Sequence, residues 1–257
     1  MVAGVYAIYP VSAIRLPMQW TDNAIILSAR KHGETSVIVQ ALTEAHGRHA
    51  GLVRGGVGRG SRGVLQPGNE VHGVWKARLP DHLGSYTFEL RRARAAHLLS
   101  DAGRLAALSS ACSVAEAALP EREKHKAAYD GFLVLLEALE TSDHWAEVYI
   151  SWELGLLRDL GFGLDLTACA QTGETEGLAF VSPRTGRAVT AAAGAPYKER
   201  LLPLPGFLSQ QTVRETKPGD LSDGLALTGF FVERHVLAPH NIKMPPARTR
   251  FVARFTQ

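Results

Sequence analysis

The hydrophobic period of this chain changes near residue 95 from that of strands to that of helices, and this change limits the folds it can adopt. Before it, apolar and β-branched residues form short runs typical of β-strands, with no helical period between consecutive runs. The predicted strands cover residues 24–28, 35–42, 49–53, 70–78 and 85–91. About five consecutive strands without crossover helices favour a small antiparallel barrel, because closing the sheet removes its exposed edges.

After residue 95, apolar residues recur every three or four positions, which is the spacing of one helix face. Such stripes lie within 105–119, 129–136 and 145–160, and the pattern returns over 222–237. Residues 161–206 lose this period and are rich in Gly, Thr, Ala and Pro, so we expect an irregular insertion with short strands at 178–181 and 187–190. The predicted fold class is α+β: a barrel, then a helical domain that ends in a basic tail.

Charge divides the chain into three parts. Residues 1–94 hold 12 Lys and Arg against 6 Asp and Glu, residues 95–180 hold 5 against 14, and residues 181–257 hold 11 against 5. The small net charge of +3 therefore conceals a basic start, an acidic middle and a basic end. This arrangement is typical of a protein that meets a polyanion with selected faces.

Composition excludes several classes of protein. Two cysteines cannot form a disulfide framework in 257 residues, nor can they alone hold a four-thiolate zinc site, so a reducing, cytoplasmic compartment is expected. No apolar run approaches the roughly 20 residues needed to cross a bilayer. Residues 1–17 lack the positively charged start of a signal peptide, and we expect them to be a flexible leader before Met18.

The segment 47–63 combines seven glycines with four arginines, and no acidic residue occurs between Glu44 and Glu70. Residues 58–63 match the dinucleotide pattern G-x-G-x-x-G, which requires a helix that starts within the motif. Because Pro67 and Gly68 follow closely, we predict that no helix begins there. A flexible Arg/Gly loop instead suits a nucleic-acid backbone, since arginine contacts phosphate and stacks on bases.

The predicted DNA contacts are the basic residues of the barrel and of the C-terminal tail. In the barrel they are Arg30, Arg48, Arg54, Arg59, Arg62, Lys76 and Arg78, with Lys31 beside them, and in the tail Arg248, Arg250 and Arg254. Trp75 alternates with Lys76, so its side chain is expected in the barrel core. The structural alternative for the Arg/Gly loop is a solvated connection with no ligand.

Motifs for catalysis are absent from the sequence. It contains no G-x-S-x-G elbow, no H-E-x-x-H motif and no Walker lysine, and its ten histidines are scattered. Cys112 lies on an apolar helix stripe and is expected in the core. We therefore predict that the protein is not an enzyme and needs no cofactor.

Several motifs, in order and with their spacing, resemble those of the bacterial recombination mediator family RecO. They are HGETS (32–36), LTEAHGR (42–48), VRGG (53–56), LQPG (65–68) and WELGLLRDLGFGLD (152–165). The stretch YKERLLPLP (197–205) is similar to the version in α-proteobacterial members. The resemblance covers most of the chain from Met18 to about Leu237.

The resemblance implies an OB-fold over residues 18–94 and a helical domain over 95–257, with the insertion at 161–206. It further implies a cytoplasmic, nucleoid-associated DNA repair protein that binds single- and double-stranded DNA and anneals complementary strands. The implied partners are the C-terminal tail of the single-stranded DNA-binding protein (SSB), RecR and, indirectly, RecA. The alternatives are an OB-fold RNA-binding module and a nucleotide-dependent enzyme that uses the glycine-rich loop.

Many members of that family carry a zinc module with two C-x-x-C pairs after the motif at 152–165. Here the first pair reads Cys169-Ala170-Gln171-Thr172, and the second falls at Thr190-Ala191-Ala192-Ala193. A single thiolate with threonines and alanines cannot form a tetrahedral zinc site. We predict that the module holds no metal and is stabilised by packing and turns.

Overall fold

The computed structural model describes residues 18–79, 81–209 and 216–256, so the predicted leader, residues 1–17, lies outside the described residues. The described chain is α+β, as the change of period predicts: five strands form a closed barrel, and helices follow. The strands of the barrel are β1 (Met18–His32), β2 (Ser36–Thr43), β3 (Gly47–Val53), β4 (Glu70–Ala77) and β5 (Ser85–Arg92).

Strand β1 pairs with both β2 and β4, and so joins the two ends of the sheet into a barrel. Its first half is antiparallel to β4, and its second half is antiparallel to β2. The order around the barrel is β1-β2-β3-β5-β4, with β3 and β5 parallel where Leu52 meets Ser85. The predicted strand at 24–28 is therefore only the centre of a strand of 15 residues.

Trp75 lies at the centre of the barrel, as its alternation with Lys76 predicts. Its side chain is 1% exposed, and Nε1 donates to the carbonyl oxygens of Ala50 and Leu83, both at 3.2 Å. Gly84 passes directly over the indole with φ at +68°, and a Cβ there would lie 2.4 Å from the ring. Only glycine fits both the backbone conformation and the close approach.

A short helix, α1 (Arg59–Val64), lies within the Arg/Gly segment, so the prediction that no helix begins there is wrong. Asn69, itself buried, donates to the carbonyl oxygens of Gly63 at 2.7 Å and Val64 at 3.3 Å, and so satisfies the end of the helix. Val64 and the buried Leu65 pack on the barrel core. These contacts with the barrel stabilise the helix, whereas the helix propensity of its own residues does not.

The helical domain begins with the short helix α2 (Arg94–His97). Helices α3 (Ala102–Ala118), α4 (Lys126–Thr141) and α5 (Trp145–Asp159) follow, as the three apolar stripes predict. Asp101 caps α3 by accepting from the backbone N–H groups of Gly103 and Arg104 at 2.8 and 3.0 Å. Helix α3 is central, since it packs against the barrel and the other helices, and Cys112 is buried on it as predicted.

The insertion contains a three-stranded sheet in the order β7-β6-β8, formed by β6 (Leu178–Val181), β7 (Ala188–Thr190) and β8 (Leu202–Pro203). Helix α6 (Ala191–Gly194) and a 3₁₀ turn (Ala195–Arg200) link β7 to β8, and a second 3₁₀ turn (Gly206–Leu208) follows β8 before α7 (Asp220–Phe231). Helix α7 continues into a π-helical segment (Val232–Leu237). The basic tail then forms α8 (Pro246–Val252), which packs on α3.

The barrel and the helical domain share one buried interface. Ile25, Leu27 and Leu42 project outward from β1 and β2 and belong to the core of the helical domain. Arg94 is 4% exposed and bridges the two parts through Glu70 of β4 at 2.6 Å and Glu140 of α4 at 2.8 Å. Helix α3 consequently covers part of the outer surface of the barrel.

Candidate nucleic-acid interface

The part of the Arg/Gly segment that follows β3 presents three arginines to solvent. Arg54 precedes a turn at Gly55, whose φ is +69°, and Arg59 and Arg62 lie on α1. All three side chains are exposed, and Arg62 Nε donates to the carbonyl oxygen of Val57 at 3.0 Å. The segment therefore concentrates three positive charges near one end of the barrel.

Backbone contacts place this segment beside the turn between β1 and β2. The Val57 N–H donates to the carbonyl oxygen of Thr35 at 3.2 Å, and Gly56 lies against the side chain of Val37. Lys31 pairs with Val37 in the β1–β2 ladder and is exposed. The sheet register thus brings Lys31 and Arg54 to the same end of the barrel.

A row of outward-facing residues runs around the barrel at this level. The row consists of five residues, each paired with the next across neighbouring strands: Arg30 (β1), Ile38 (β2), Leu52 (β3), Ser85 (β5) and Lys76 (β4). None of the five is buried, and Arg30 and Lys76 at the ends of the row are exposed. Neighbouring strands lie about 4.8 Å apart, so the row spans roughly 19 Å along the curved surface.

Six exposed cations near this row have no carboxylate oxygen within 4.0 Å among the residues that the structure describes. We call this set the Arg/Gly surface, and it consists of Lys31, Arg54, Arg59, Arg62, Lys76 and Arg78. Cations without a nearby carboxylate produce a local positive potential that attracts phosphate.

Two other predicted barrel contacts are already engaged. Arg30 forms an ion pair with Glu116 of α3 at 2.7 Å, although its side chain is 74% exposed. Arg48 is half-buried at the interface with the helical domain, where Nε donates to the carbonyl oxygen of Leu119 at 2.7 Å and Nη1 to Gln40 at 3.1 Å. Arg48 therefore fixes the position of the domains, and we leave it out of the Arg/Gly surface.

The predicted tail contacts separate into buried and exposed residues. Arg248 is 4% exposed and donates to both carboxylate oxygens of Glu153, at 2.7 and 2.8 Å. A buried guanidinium in a bidentate pair is not available to a phosphate. The prediction of Arg248 as a surface contact for DNA is therefore corrected. Arg250 and Arg254 are exposed on and after α8.

The remnant of the zinc module contains one thiol, Cys169, which is 2% exposed. The Thr190 N–H donates to Cys169 Sγ at 3.4 Å, while the Thr190 hydroxyl accepts from the Ala193 N–H. Burial opposes ionisation of Cys169, but hydrogen bonds from the Thr172 hydroxyl and from backbone N–H groups outweigh it and lower the pKa of the thiol to about 6. One sulfur with hydroxyl neighbours does not fit tetrahedral zinc.

Within 18–79, 81–209 and 216–256, no three or more His, Cys, Asp or Glu side chains are arranged to hold a metal ion. Over the same ranges, no helix combines the length and the hydropathy required to span a membrane.

A five-stranded barrel with a basic outer surface, joined to a helical domain, defines the chain as an OB-fold protein of α+β class. The family model "Recombination protein O N terminal" matches residues 18–94, and "Recombination protein O C terminal" matches residues 99–243. The chain belongs to the RecO family, and its role is therefore in DNA repair and recombination.

Curated relatives agree with this assignment. The DNA repair protein RecO of Rhodospirillum centenum is 55% identical over 240 residues, covering 93% of this chain and 95% of the relative. The RecO protein of Rhodospirillum rubrum is 50% identical, with 92% and 96% covered, and that of Phenylobacterium zucineum is 49% identical, with 93% and 98% covered.

Proposed function

We propose that the protein binds single- and double-stranded DNA through the Arg/Gly surface and anneals complementary strands. The observation that carries the proposal is the set of six exposed cations of the OB barrel that have no carboxylate oxygen within 4.0 Å in the described part of the chain. Arg30 extends this surface when a phosphate displaces Glu116, since their ion pair is exposed and such pairs contribute little stability.

Annealing on this surface needs charge and alignment. Two complementary strands repel each other through their phosphates, and a basic surface that neutralises part of that charge lowers the barrier to pairing. Each phosphate contact releases counterions, so six contacts give a slope of about −5 for log K against log salt on duplex DNA. The proposal requires no nucleotide, metal or catalytic side chain.

Membership of the RecO family supports further partners as part of the proposal. We propose contacts with RecR and with the C-terminal tail of SSB, through which the protein helps to load RecA onto coated single strands. Residues 95–180, with 5 Lys and Arg against 14 Asp and Glu, disfavour DNA, and we propose this part of the helical domain for contacts with protein partners.

The test is annealing of two complementary oligonucleotides over a salt series, without nucleotide or metal. A triple variant, Arg54→Ala with Arg59→Ala and Arg62→Ala, is compared with a control that removes the same charge from the insertion. The control changes the exposed residues Arg184, Lys198 and Arg200 to Ala. We expect the first variant to lose most annealing and to reduce the salt slope by about 3, because three phosphate contacts are removed.

Equal losses in the two variants would assign the effect to net charge and contradict the proposed surface. Failure of the wild type to bind or anneal DNA would contradict the function itself. RNA of the same sequence is tested in parallel, because tighter RNA binding would favour the RNA-binding alternative. Binding of ATP or NAD by residues 58–63 would support the nucleotide-dependent alternative.

A further inference from the structure

A cavity of about 440 Å³ lies where the outer surface of the barrel meets helix α3. Residues of β1 line one side, residues of α3 line the other, and Gln66 and Pro67, which precede β4, add to the lining. Sites that enclose small ligands have volumes of roughly 300–1,000 Å³, so the cavity is large enough for one. None of the six residues of the Arg/Gly surface lines it.

A β-bulge in β1 turns two consecutive residues towards this cavity. Ile26 pairs with Ala41 and Ser28 pairs with Gln40, so Leu27 is an extra residue between two consecutive pairs. Leu27 and Ser28 both line the cavity as a result, whereas consecutive residues of a regular strand face opposite sides. Bulges are frequent next to functional sites because they re-aim side chains.

The bulge leaves the hydroxyl of Ser28 without a hydrogen bond. Its Oγ is buried and has no hydrogen-bond partner in the described chain, whereas the Ser113 hydroxyl, also on the lining, donates to the carbonyl oxygen of Ser109 at 2.8 Å. Ser28 as a residue is only half-buried, and rotation about its Cα–Cβ bond can turn the hydroxyl into the cavity. A buried hydroxyl without a partner costs stability, so its place on a cavity wall points to a ligand.

The motif LQPG at 65–68 shapes the lining opposite the helix. Gln66 and Pro67 are exposed and line the cavity. Gly68 has φ of +90°, and a Cβ there would lie 2.6 Å from the side chain of Leu108 on α3, which is itself a lining residue. A side chain at position 68 is therefore excluded, and the glycine lets an amide and a proline ring lie beside the apolar face of α3.

Charge separates the inside of the cavity from the surface outside it. Among the lining residues, Arg30 and Glu116 have charged side chains, and they pair with each other at 2.7 Å between β1 and α3. The other lining residues are apolar or carry hydroxyl, thiol or amide groups. Arg30 also begins the row of paired residues that ends at Lys76. The cavity therefore suits an uncharged group with apolar faces and polar edges, attached to an anion that lies on the row.

We propose that this cavity binds one unstacked nucleobase of a single strand whose phosphates lie on the Arg/Gly surface. The inference rests on the proposed DNA binding and adds a subsite to it. Leu27 and Leu108 contact the faces of the base, while Ser28 Oγ and the Gln66 amide form hydrogen bonds with its edge. Arg30 donates to the adjoining phosphate. Bases of a duplex are paired and stacked, so the subsite favours single strands.

Fluorescence polarisation of the full chain with a fluorescein-labelled oligothymidylate tests the subsite. The strand has about 12 nucleotides, which is within the site size of an OB fold. A duplex of the same length and an abasic strand with the same number of phosphates are measured beside it. We expect the abasic strand to bind the wild type about tenfold more weakly, because it keeps the charge but has no base to insert.

The variant Ser109→Trp fills the cavity, since Ser109 is exposed on α3 and lines it. We expect it to bind the thymidylate strand about tenfold more weakly and the duplex as the wild type does. The abasic strand is expected to show no further loss with this variant, because both changes remove the same contact. Ser151→Trp is the matched control, since Ser151 is exposed on α5 and lies outside the lining. If Ser109→Trp does not fold by circular dichroism, Leu99→Asn replaces it, since Leu99 lines the cavity and is 67% exposed.

The variant Ser28→Ala separates a ligand contact from a structural role. It removes a buried hydroxyl that has no partner, so Tm is expected to stay unchanged or to rise. Binding of the thymidylate strand is nevertheless expected to weaken about fivefold, because the base loses a hydrogen bond. A hydroxyl that only stabilises the fold would give the opposite pattern, a lower Tm with unchanged binding.

The proposal is overturned if the wild type binds the abasic and thymidylate strands equally, or if Ser109→Trp and Ser151→Trp bind the thymidylate strand equally well. Equal losses for single strand and duplex in Ser109→Trp also overturn it, because the substitution then disturbs the whole DNA surface. In each of these cases the wild type still binds DNA, and the proposed function stands. If the wild type binds neither strand nor duplex, the proposed function fails and the subsite fails with it.

Discussion

Arg248→Ala is expected to destabilise the helical domain rather than to weaken DNA binding directly. The guanidinium donates twice to Glu153 and once to the carbonyl oxygen of Leu225 at 2.8 Å. Glu153 is 0% exposed and also accepts from the Tyr149 hydroxyl at 3.0 Å. Burial opposes the charge of Arg248, but the Glu153 carboxylate outweighs it and raises the pKa of the guanidinium.

The magnitude follows from what the substitution leaves behind. Removing one partner of a buried pair strands the other charge, which typically costs 3–5 kcal/mol. Glu153 keeps hydrogen bonds from Tyr149 and Thr228, so the lower part of that range, about 3 kcal/mol, applies. For a chain of this length, the loss lowers Tm by roughly 6–12 °C.

Urea denaturation followed by circular dichroism measures the change, with Arg250→Ala as the matched control. Arg250 lies two residues away on the same helix and is exposed, so its loss is expected to cost no more than about 0.5 kcal/mol. The double variant Glu153→Leu with Arg248→Met removes both charges and is expected to recover most of the stability. Equal, small effects of Arg248→Ala and Arg250→Ala would refute the argument from burial.

Two further predictions concern the domain interface and the insertion. Arg94→Ala is expected to destabilise the chain by about 2–3 kcal/mol, because Glu70 and Glu140 lose a buried partner. Thermal unfolding measures this loss, and an effect no larger than that of Arg92→Ala, whose side chain is 41% exposed, would contradict it. The second concerns Cys169, whose folded-state pKa of about 6 lies below the roughly 8.5 of a free thiol. The stability difference between wild type and Cys169→Ser is therefore expected to be greatest above about pH 8.5 and to shrink as pH falls towards 6. Urea denaturation at both ends of that range checks the sign, and a difference independent of pH would contradict it.

The parts of the fold that the sequence predicts are those that depend on local pattern. Alternation over 85–91 predicts β5, and three apolar stripes predict α3, α4 and α5. These elements bury one face against a core, so the period of their apolar residues records their geometry. The same reasoning places Trp75 and Cys112 correctly, since each lies on the apolar face of its element.

What the sequence does not predict depends on partners far along the chain. Arg248 meets Glu153 across 95 positions, and Arg48 meets the carbonyl oxygen of Leu119 across 71. Composition alone does not separate an arginine that neutralises a buried carboxylate from one that faces solvent. A signal for α1 was present, however, because Val57, Val64 and Leu65 are apolar residues within a segment otherwise rich in glycine and arginine.

The way the two domains pack limits where a DNA strand can lie. Helix α3 packs against β1, and the Arg94 contacts with Glu70 of β4 and Glu140 of α4 tie the barrel to the helical domain. The outer face of the barrel that remains open carries the Arg/Gly surface, while residues 95–180 of the adjoining helical domain hold 5 Lys and Arg against 14 Asp and Glu. A polyanion is attracted by the Arg/Gly surface and repelled by the acidic residues 95–180. The charge distribution along the sequence therefore favours one orientation of the protein relative to a polyanion. In the proposed function, the helical domain therefore acts on DNA indirectly, because it fixes the position of the barrel.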